Sequence, residues 1–247
     1  MELAIHLREN VHGIHDSNLH SSLLSHFHHI KNNTLATLGH QISFLERIYI
    51  GDEFCFNRLP NFYFIDHIVD VINKENLGLT LLTPTLSQIN FFSFSEILEH
   101  LHKKNPNTEI VVNDWGMIFF LKEKFPSFNL SIGRLLNKGF KDPRLRAYDY
   151  ELTDEALNLL NSSTFDDPIF QDFVSNLGIN RLESDIFPYK DQLIPSYKNL
   201  NTSIYFPFTY ITSHSGVEMP KYNSSAPKCM SISTSLMELT GAVIFIN

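Results

Sequence analysis

The chain has 247 residues, 43% of them hydrophobic and 19% charged, with a formal net charge of -8. That length fits one large α/β domain or two small ones, and the composition excludes a disordered chain. The acidic balance argues against an electrostatic grip on nucleic acid over the whole surface, but leaves room for a local basic pocket that takes a small anion or an RNA end.

Leu3–Leu7 is expected as a first strand and Asn18–Ile30 as a first helix. Eight histidines crowd this region: His6, His12, His15, His20, His26, His28, His29 and His40. Their spacing is irregular, and Leu23, Leu24, Phe27 and Ile30 interleave as a helix face would. The tract therefore reads as an exposed His-rich helix rather than a metal site. Arg47–Ile50 is a second strand. Phe62–Asn73 repeats apolar residues at helical spacing (Phe62, Ile65, Ile68, Val69, Ile72). Gly78–Leu82 is a strand stopped by Thr83-Pro84. Ser93–Lys103 is expected to be helical, with Ser93 or Ser95 as N-cap.

Glu109–Val112 predicts a strand and Trp115–Lys124 a helix, and Leu130–Ile132 a further short strand. A basic loop spans Lys138–Asp149. Thr153–Leu160 opens with capping residues before an apolar face. Asp167–Asn176 is helical, with Pro168 in its first turn. Ile179–Leu182 and Ser203–Phe206 are strands, with a short helix expected over Gln192–Leu200. Ser213–Ser231 is polar and irregular. Leu236–Leu239 ends a last helix, and Ala242–Ile246 reads as a final strand.

Eight strands, most of them separated by helical segments, imply parallel pairing with right-handed crossovers. A TIM-barrel-like (β/α)8 fold, compact and single-domain over residues 1–247, is the expectation. Such a barrel typically needs about 250 residues. An open doubly wound sheet is the alternative. The Rossmann glycine fingerprint and the Walker phosphate loop are both missing. Two cysteines, Cys55 and Cys229, are too few for a disulfide framework. The opening Met1–His6 carries no basic n-region followed by a long apolar run, and no stretch of about 18 apolar residues occurs. A cytoplasmic, reduced protein with no membrane span follows as the expectation.

A parallel barrel gathers the C-terminal ends of its strands on one rim, where active sites are built. Here that rim would hold Asp52, Glu53 and Cys55 after the second strand. Asn113 and Asp114 follow the fourth, in positions that also suit a helix cap. Arg134 follows Gly133 and is a natural clamp for a carboxylate or phosphate. Lys138, Lys141, Arg144 and Arg146 extend that basic character. Arg181, Glu183 and Asp185 alternate at strand period and so share one face. If that face is inward, Arg181 is expected to pair with Glu183 or Asp114. His214, Glu218 and Cys229 lie in an irregular rim loop, about residues 213–233. Neither a Gly-x-Ser-x-Gly elbow nor a His-Glu-x-x-His zinc motif is present.

Four segments in order carry a family likeness: Ile48-Tyr-Ile-Gly-Asp-Glu-Phe-Cys55, Val111-Val-Asn-Asp-Trp-Gly116, Ser131-Ile-Gly-Arg134 and Tyr205-Phe-Pro-Phe-Thr-Tyr-Ile-Thr212. Together they resemble the collagenase-like peptidase (U thirty-two) family, and most of all its short UbiV-like branch in anaerobic ubiquinone biosynthesis. The likeness runs roughly from residue 46 to 233 and implies a TIM-barrel-like fold. It also implies a four-iron four-sulfur (4Fe-4S) cluster on four thiolates, the ligation such clusters need. Cys55 and Cys229 match two of those positions. The other two fall within Ser213–Met219 and at Ser233, where no cysteine stands, and His214 is the candidate replacement.

What the likeness implies for function is a subunit of an oxygen-independent hydroxylation system, acting on a ubiquinone precursor or on tRNA. It would pair with a second barrel protein of the same family as a heterodimer and bind a small anionic oxygen donor. Asp52, Glu53, Asn113, Asp114, Arg134, Arg181, Glu183 and His214 would line the substrate pocket, with Cys55 and Cys229 as metal ligands. The alternatives are a peptidase or peptide-processing enzyme, and a non-catalytic binding subunit that has lost its cluster.

Overall fold

The computed structural model describes residues 2–7, 25, 28, 32, 46–141, 152–185, 197 and 199–206, together with the strand segments 217–218, 228–229 and 242–246. Of the expected helix over 18–30 only Ser25 and His28 are described, and both are helical; the one over 236–239 lies outside these residues, and so does most of the one over 192–200. The same holds for His214, Arg144 and Arg146.

Among the described residues ten strands form: β1 (Glu2–His6), β2 (Arg47–Gly51), β3 (Gly78–Leu82), β4 (Glu109–Val112), β5 (Asn129–Ile132), β6 (Arg181–Ser184), β7 (Asn201–Phe206), β8 (Val217–Glu218), β9 (Lys228–Cys229) and β10 (Ala242–Ile246). β1 to β7 pair in sequence order, each parallel to the next, and curl into a half-barrel of TIM-barrel-like form. The last position in the ring, between β7 and β1, is taken by β10, which runs antiparallel to both neighbours.

All eight expected strands are thus present, but the uniform (β/α)8 barrel is not what they form. An all-parallel ring needs every strand to run the same way, and β10 pairs antiparallel on both sides. The chain between β7 and β10 contains the two-stranded antiparallel ribbon β8–β9.

The helices whose bounds are described are α1 (Phe62–Glu75), α2 (Gln88–Lys104), α3 (Trp115–Lys124), α4 (Asp154–Asn161) and α5 (Pro168–Asn176). Their starts follow side-chain chemistry. Asn61, Asp114, Thr153 and Asp167 each accept a hydrogen bond from a first-turn backbone N–H, satisfying donors that the helix itself leaves open. α2 begins at Gln88, with Ser87 in the N-cap position, one turn or more before the expected Ser93 or Ser95. Its extra turn exposes Ile89 and Phe92, so no buried apolar face announced it. Among the described residues no helix is long and apolar enough to cross a membrane.

Strand alternation sorts the side chains into two environments. Ile48, Ile50, Leu79, Leu81, Ile110, Val112, Ile132 and Leu182 pack outward against Ile65, Ile68, Leu98, Leu101, Ile118 and Leu121 of the helices, as one buried core. The opposite register faces the interior and is largely polar. It includes a small apolar layer of Ala4, Tyr49, Leu82, Val111 and Tyr205.

β2 ends at Gly51, whose φ of +89° swings the chain over the barrel end. A Cβ there would lie 2.5 Å from the Leu82 carbonyl oxygen. Both the dihedral and the contact require glycine. Gly51→Ala is expected to cost roughly 2–4 kcal/mol in urea denaturation, from backbone strain and overpacking together.

Candidate functional site

Asp52 follows that turn and folds back on it. Its Oδ1 accepts from the backbone N–H of Phe54 at 2.7 Å and of Cys55 at 3.0 Å, and its Oδ2 stands 3.9 Å from Arg58. Asp52 therefore shapes the loop. The loop in turn places Glu53 inside the barrel end, 2% exposed.

There Glu53 meets Arg134, which leaves β5 just beyond Gly133. The Arg134 Nε donates to Glu53 Oε2 and its Nη1 to Asp185 Oδ1, both at 2.7 Å. Lys141 Nζ donates to the second Asp185 oxygen at 2.6 Å. The guanidinium lies over the Tyr205 ring, 3.8 Å from its centroid, with the Phe54 ring 5.5 Å away. Two cations and two carboxylates are thus joined in one buried chain, with each charge held by a charge-assisted bond.

Burial disfavours every charged form here, and neighbours decide the balance. It pushes Glu53 up, more than Arg134 pulls it down. It pushes Lys141 down against the opposing pull of Asp185. Arg134 is held above its ordinary range: burial opposes its charge, but Glu53 and Asp185 outweigh it.

One layer deeper, the Tyr49 hydroxyl donates to Glu183 Oε1 at 3.0 Å. Burial first, then the carboxylates of Glu109 and Glu53, push Glu183 up to about 8. Glu183 therefore keeps its proton at neutral pH. Tyr49 and Tyr205 are both raised by burial and by the charge on Glu183. Four buried oxygens of this region, Glu53 Oε1, Glu183 Oε2, Ser203 Oγ and Tyr205 Oη, have no hydrogen-bond partner among the described residues.

The other expected site residues divide. Asn113 is inside but spent on the fold: its Nδ2 donates to the Thr83 carbonyl at 2.9 Å, and its Oδ1 accepts from Leu135 N–H at 3.0 Å. It fills the space that a Cβ on Gly133 would enter, 2.1 Å from Asn113 Oδ1. Asp114 points elsewhere and caps α3 through Met117 N–H. The positive charge of Arg181 acts on Glu183, lowering it against the larger upward push of burial. Arg181 starts β6, so it lies at the opposite end of the barrel, with its Nε 3.6 Å from Glu109 Oε2. Strand period gave the shared face of Arg181, Glu183 and Asp185 but not their depth.

Cys55 is disulfide-bonded. A sulfur held in a disulfide is not a thiolate ligand, so the residues as they stand do not fit the expected cluster. Cys229 contributes backbone to β9. Among the described residues no group of three His, Cys, Asp or Glu side chains is placed to hold a metal.

Tyr49 and Tyr205 belong to this site and were not assigned to it from sequence, whereas Lys141 was expected only as part of the basic stretch after Arg134. Tyr49 and Tyr205 lie at inward strand positions, the one signal available for them. No family model, curated protein or solved structure matches the chain.

Glu183 gives the site a pH signature. Its folded value lies above its unfolded one, so folding holds a proton that the unfolded chain releases. Its contribution is fully present below the ordinary carboxylate range and is lost as pH rises to about 8. The slope approaches about 1.4 kcal/mol per pH unit for one proton. Glu183→Gln keeps the acceptor for Tyr49 and removes the titration. Denaturation across pH should show the variant matching the parent chain near pH 4.5, gaining on it steadily as pH rises to about 8, and holding a constant lead above that.

Proposed function

We propose that the C-terminal end of the barrel strands is the working end and that it binds a small oxygen-rich anion. The buried oxygens beneath the Arg134 network that have no partner among the described residues carry this reading. Ser203 Oγ, Tyr205 Oη and the Glu183 carboxyl in its protonated form can each donate to an anion oxygen, and such a bond relieves a burial cost of about 1–3 kcal/mol. Glu183, proton-bearing at neutral pH, supplies a general acid beside them.

The counter-charge comes from Arg134 by exchange. Glu53 takes up a proton more readily than an ordinary carboxylate. Once neutral it releases the guanidinium edge that it now occupies. An incoming carboxylate then replaces it, one negative charge for another, and the displaced Glu53 retains the proton. In the narrower form suggested by the motif likeness, that anion is the donor of an oxygen-independent hydroxylation system, and a second barrel protein completes the assembly. The disulfide at Cys55 favours a companion reading, a binding subunit without cluster chemistry.

The exchange makes binding proton-linked. Calorimetric titration with malonate and lactate, in buffers of different ionisation enthalpy, should show uptake of up to one proton per ligand and weaker binding as pH rises. Glu53→Gln should bind more tightly and without proton uptake. Binding with no proton linkage, unchanged in Glu53→Gln, would overturn the exchange. No binding of either anion under any of these conditions would overturn the proposal as a whole.

A further inference from the structure

The helical layer carries a separate feature on its outer side. The apolar side chains of the helices mostly pack on the sheet, but six large ones on α2, α3 and α5 face outward. Ile89 is 87% exposed, Ile169 78%, Phe92 77% and Phe119 55%, with Phe173 at 43% and Trp115 at 37%. Their spacing puts two on one face of each helix: Ile89 with Phe92, Trp115 with Phe119, and Ile169 with Phe173. All six lie in the first two turns of their helices.

Ring contacts join the three helices. The Phe92 ring lies 6.4 Å from that of Phe91, which in turn meets Phe120 of α3 at 4.7 Å between centroids. On the other side of α3, Trp115 meets Phe173 at 5.7 Å and Phe170 at 6.0 Å. The exposed pairs therefore form one patch with α3 in its middle. With roughly 200 Å² for each such side chain when fully open, the exposed fractions leave about 750 Å² of apolar surface. The largest apolar patch of a typical monomer is about 300–600 Å². A standard interface buries about 800 Å² on each partner, so this patch is of the size a stable dimer needs.

Charge stands at the edges of the patch, with both signs. Glu96 lies one turn beyond Phe92, and Asp172 shares the exposed face of Ile169 and Phe173. Lys122, one turn beyond Phe119, donates to the Leu177 carbonyl, which brings it beside the end of α5. Glu123 in the same turn is paired with Lys124 at 3.3 Å. A two-fold contact presents the same surface from both chains, so self-complementarity needs both signs on one patch. An apolar centre also lets two acidic chains meet without like charges face to face. We infer that this α2–α3–α5 face binds a second copy of the chain as a two-fold symmetric dimer, with Asp172 of each copy opposed to Lys122 of the other.

The test is sedimentation velocity on the full chain between about 1 and 100 µM, the weak end of the range for interfaces of this size. The dimer fraction should rise with concentration. Ile89→Lys and Ile169→Lys alter exposed positions, so each should weaken the dimer at least tenfold while leaving the thermal midpoint of the dilute monomer unchanged. Lys122→Glu and Asp172→Lys should each weaken self-association severalfold. An equal mixture of those two variants should restore the dimer, since both opposed pairs then carry opposite charges. A monomer at every concentration would overturn the inference. So would a dimer that both isoleucine variants leave intact, or a mixture of charge variants that stays monomeric. Monomer that sediments with neutral phosphatidylcholine vesicles, without forming dimer, would assign the patch to a lipid surface and overturn it equally.

Discussion

The Arg134 guanidinium is the contact on which the barrel interior depends. It receives the loop after β2 through Glu53, the end of β6 through Asp185 and the face of Tyr205 on β7, while its own backbone continues β5. One side chain therefore joins elements far apart in sequence. A charge at 1% exposure is tolerable only because two carboxylates hold it. Such an arrangement need not be the most stable filling for the space; well-packed apolar residues often do as well. What it adds is geometry: each partner must reach one particular nitrogen, which fixes how the β2 loop and the β6 end meet.

The interior is organised as a column of charge with a different task at each level. At the N-terminal end Glu109 lies between Arg47 and Arg181. In the middle Glu183, beside Tyr49, is pushed up to about 8 by burial first and then by its carboxylate neighbours. At the C-terminal end Arg134 and Lys141 take up Glu53 and Asp185. The protonated carboxyl at the centre separates two ionic layers and keeps an uncompensated charge out of the least hydrated part of the barrel. The helices play no part in this; their contribution is the apolar packing on the outside of the sheet.

Much of this was legible in the chain. The eight ring strands are short runs of apolar and β-branched residues that end at polar ones, and the alternation in Arg181-Leu182-Glu183-Ser184-Asp185 gave the inward face directly. Asn113 and Asp114 show where such reading stops. As neighbours in sequence they were grouped, yet one faces inward to Thr83 and the other caps a helix. Depth was also hidden: Arg181 and Asp185 share a face but lie at opposite ends, and their partners come from β4 and β5 by sheet register. The direction of β10 could not be read from its composition, because Ala242–Ile246 suits either orientation. Arg134 was recognised as a clamp, but its two carboxylate partners, at positions 53 and 185, lie 81 and 51 residues away.

A double-mutant cycle between Glu53 and Arg134 tests the central role of this contact. Stabilities of the parent chain, Glu53→Gln, Arg134→Met and the double variant give the coupling energy. A buried, mutually dependent pair should give at least about 2 kcal/mol, because each single change strands the other partner's charge. A coupling below about 0.5 kcal/mol, the range of solvent-exposed pairs, would contradict it.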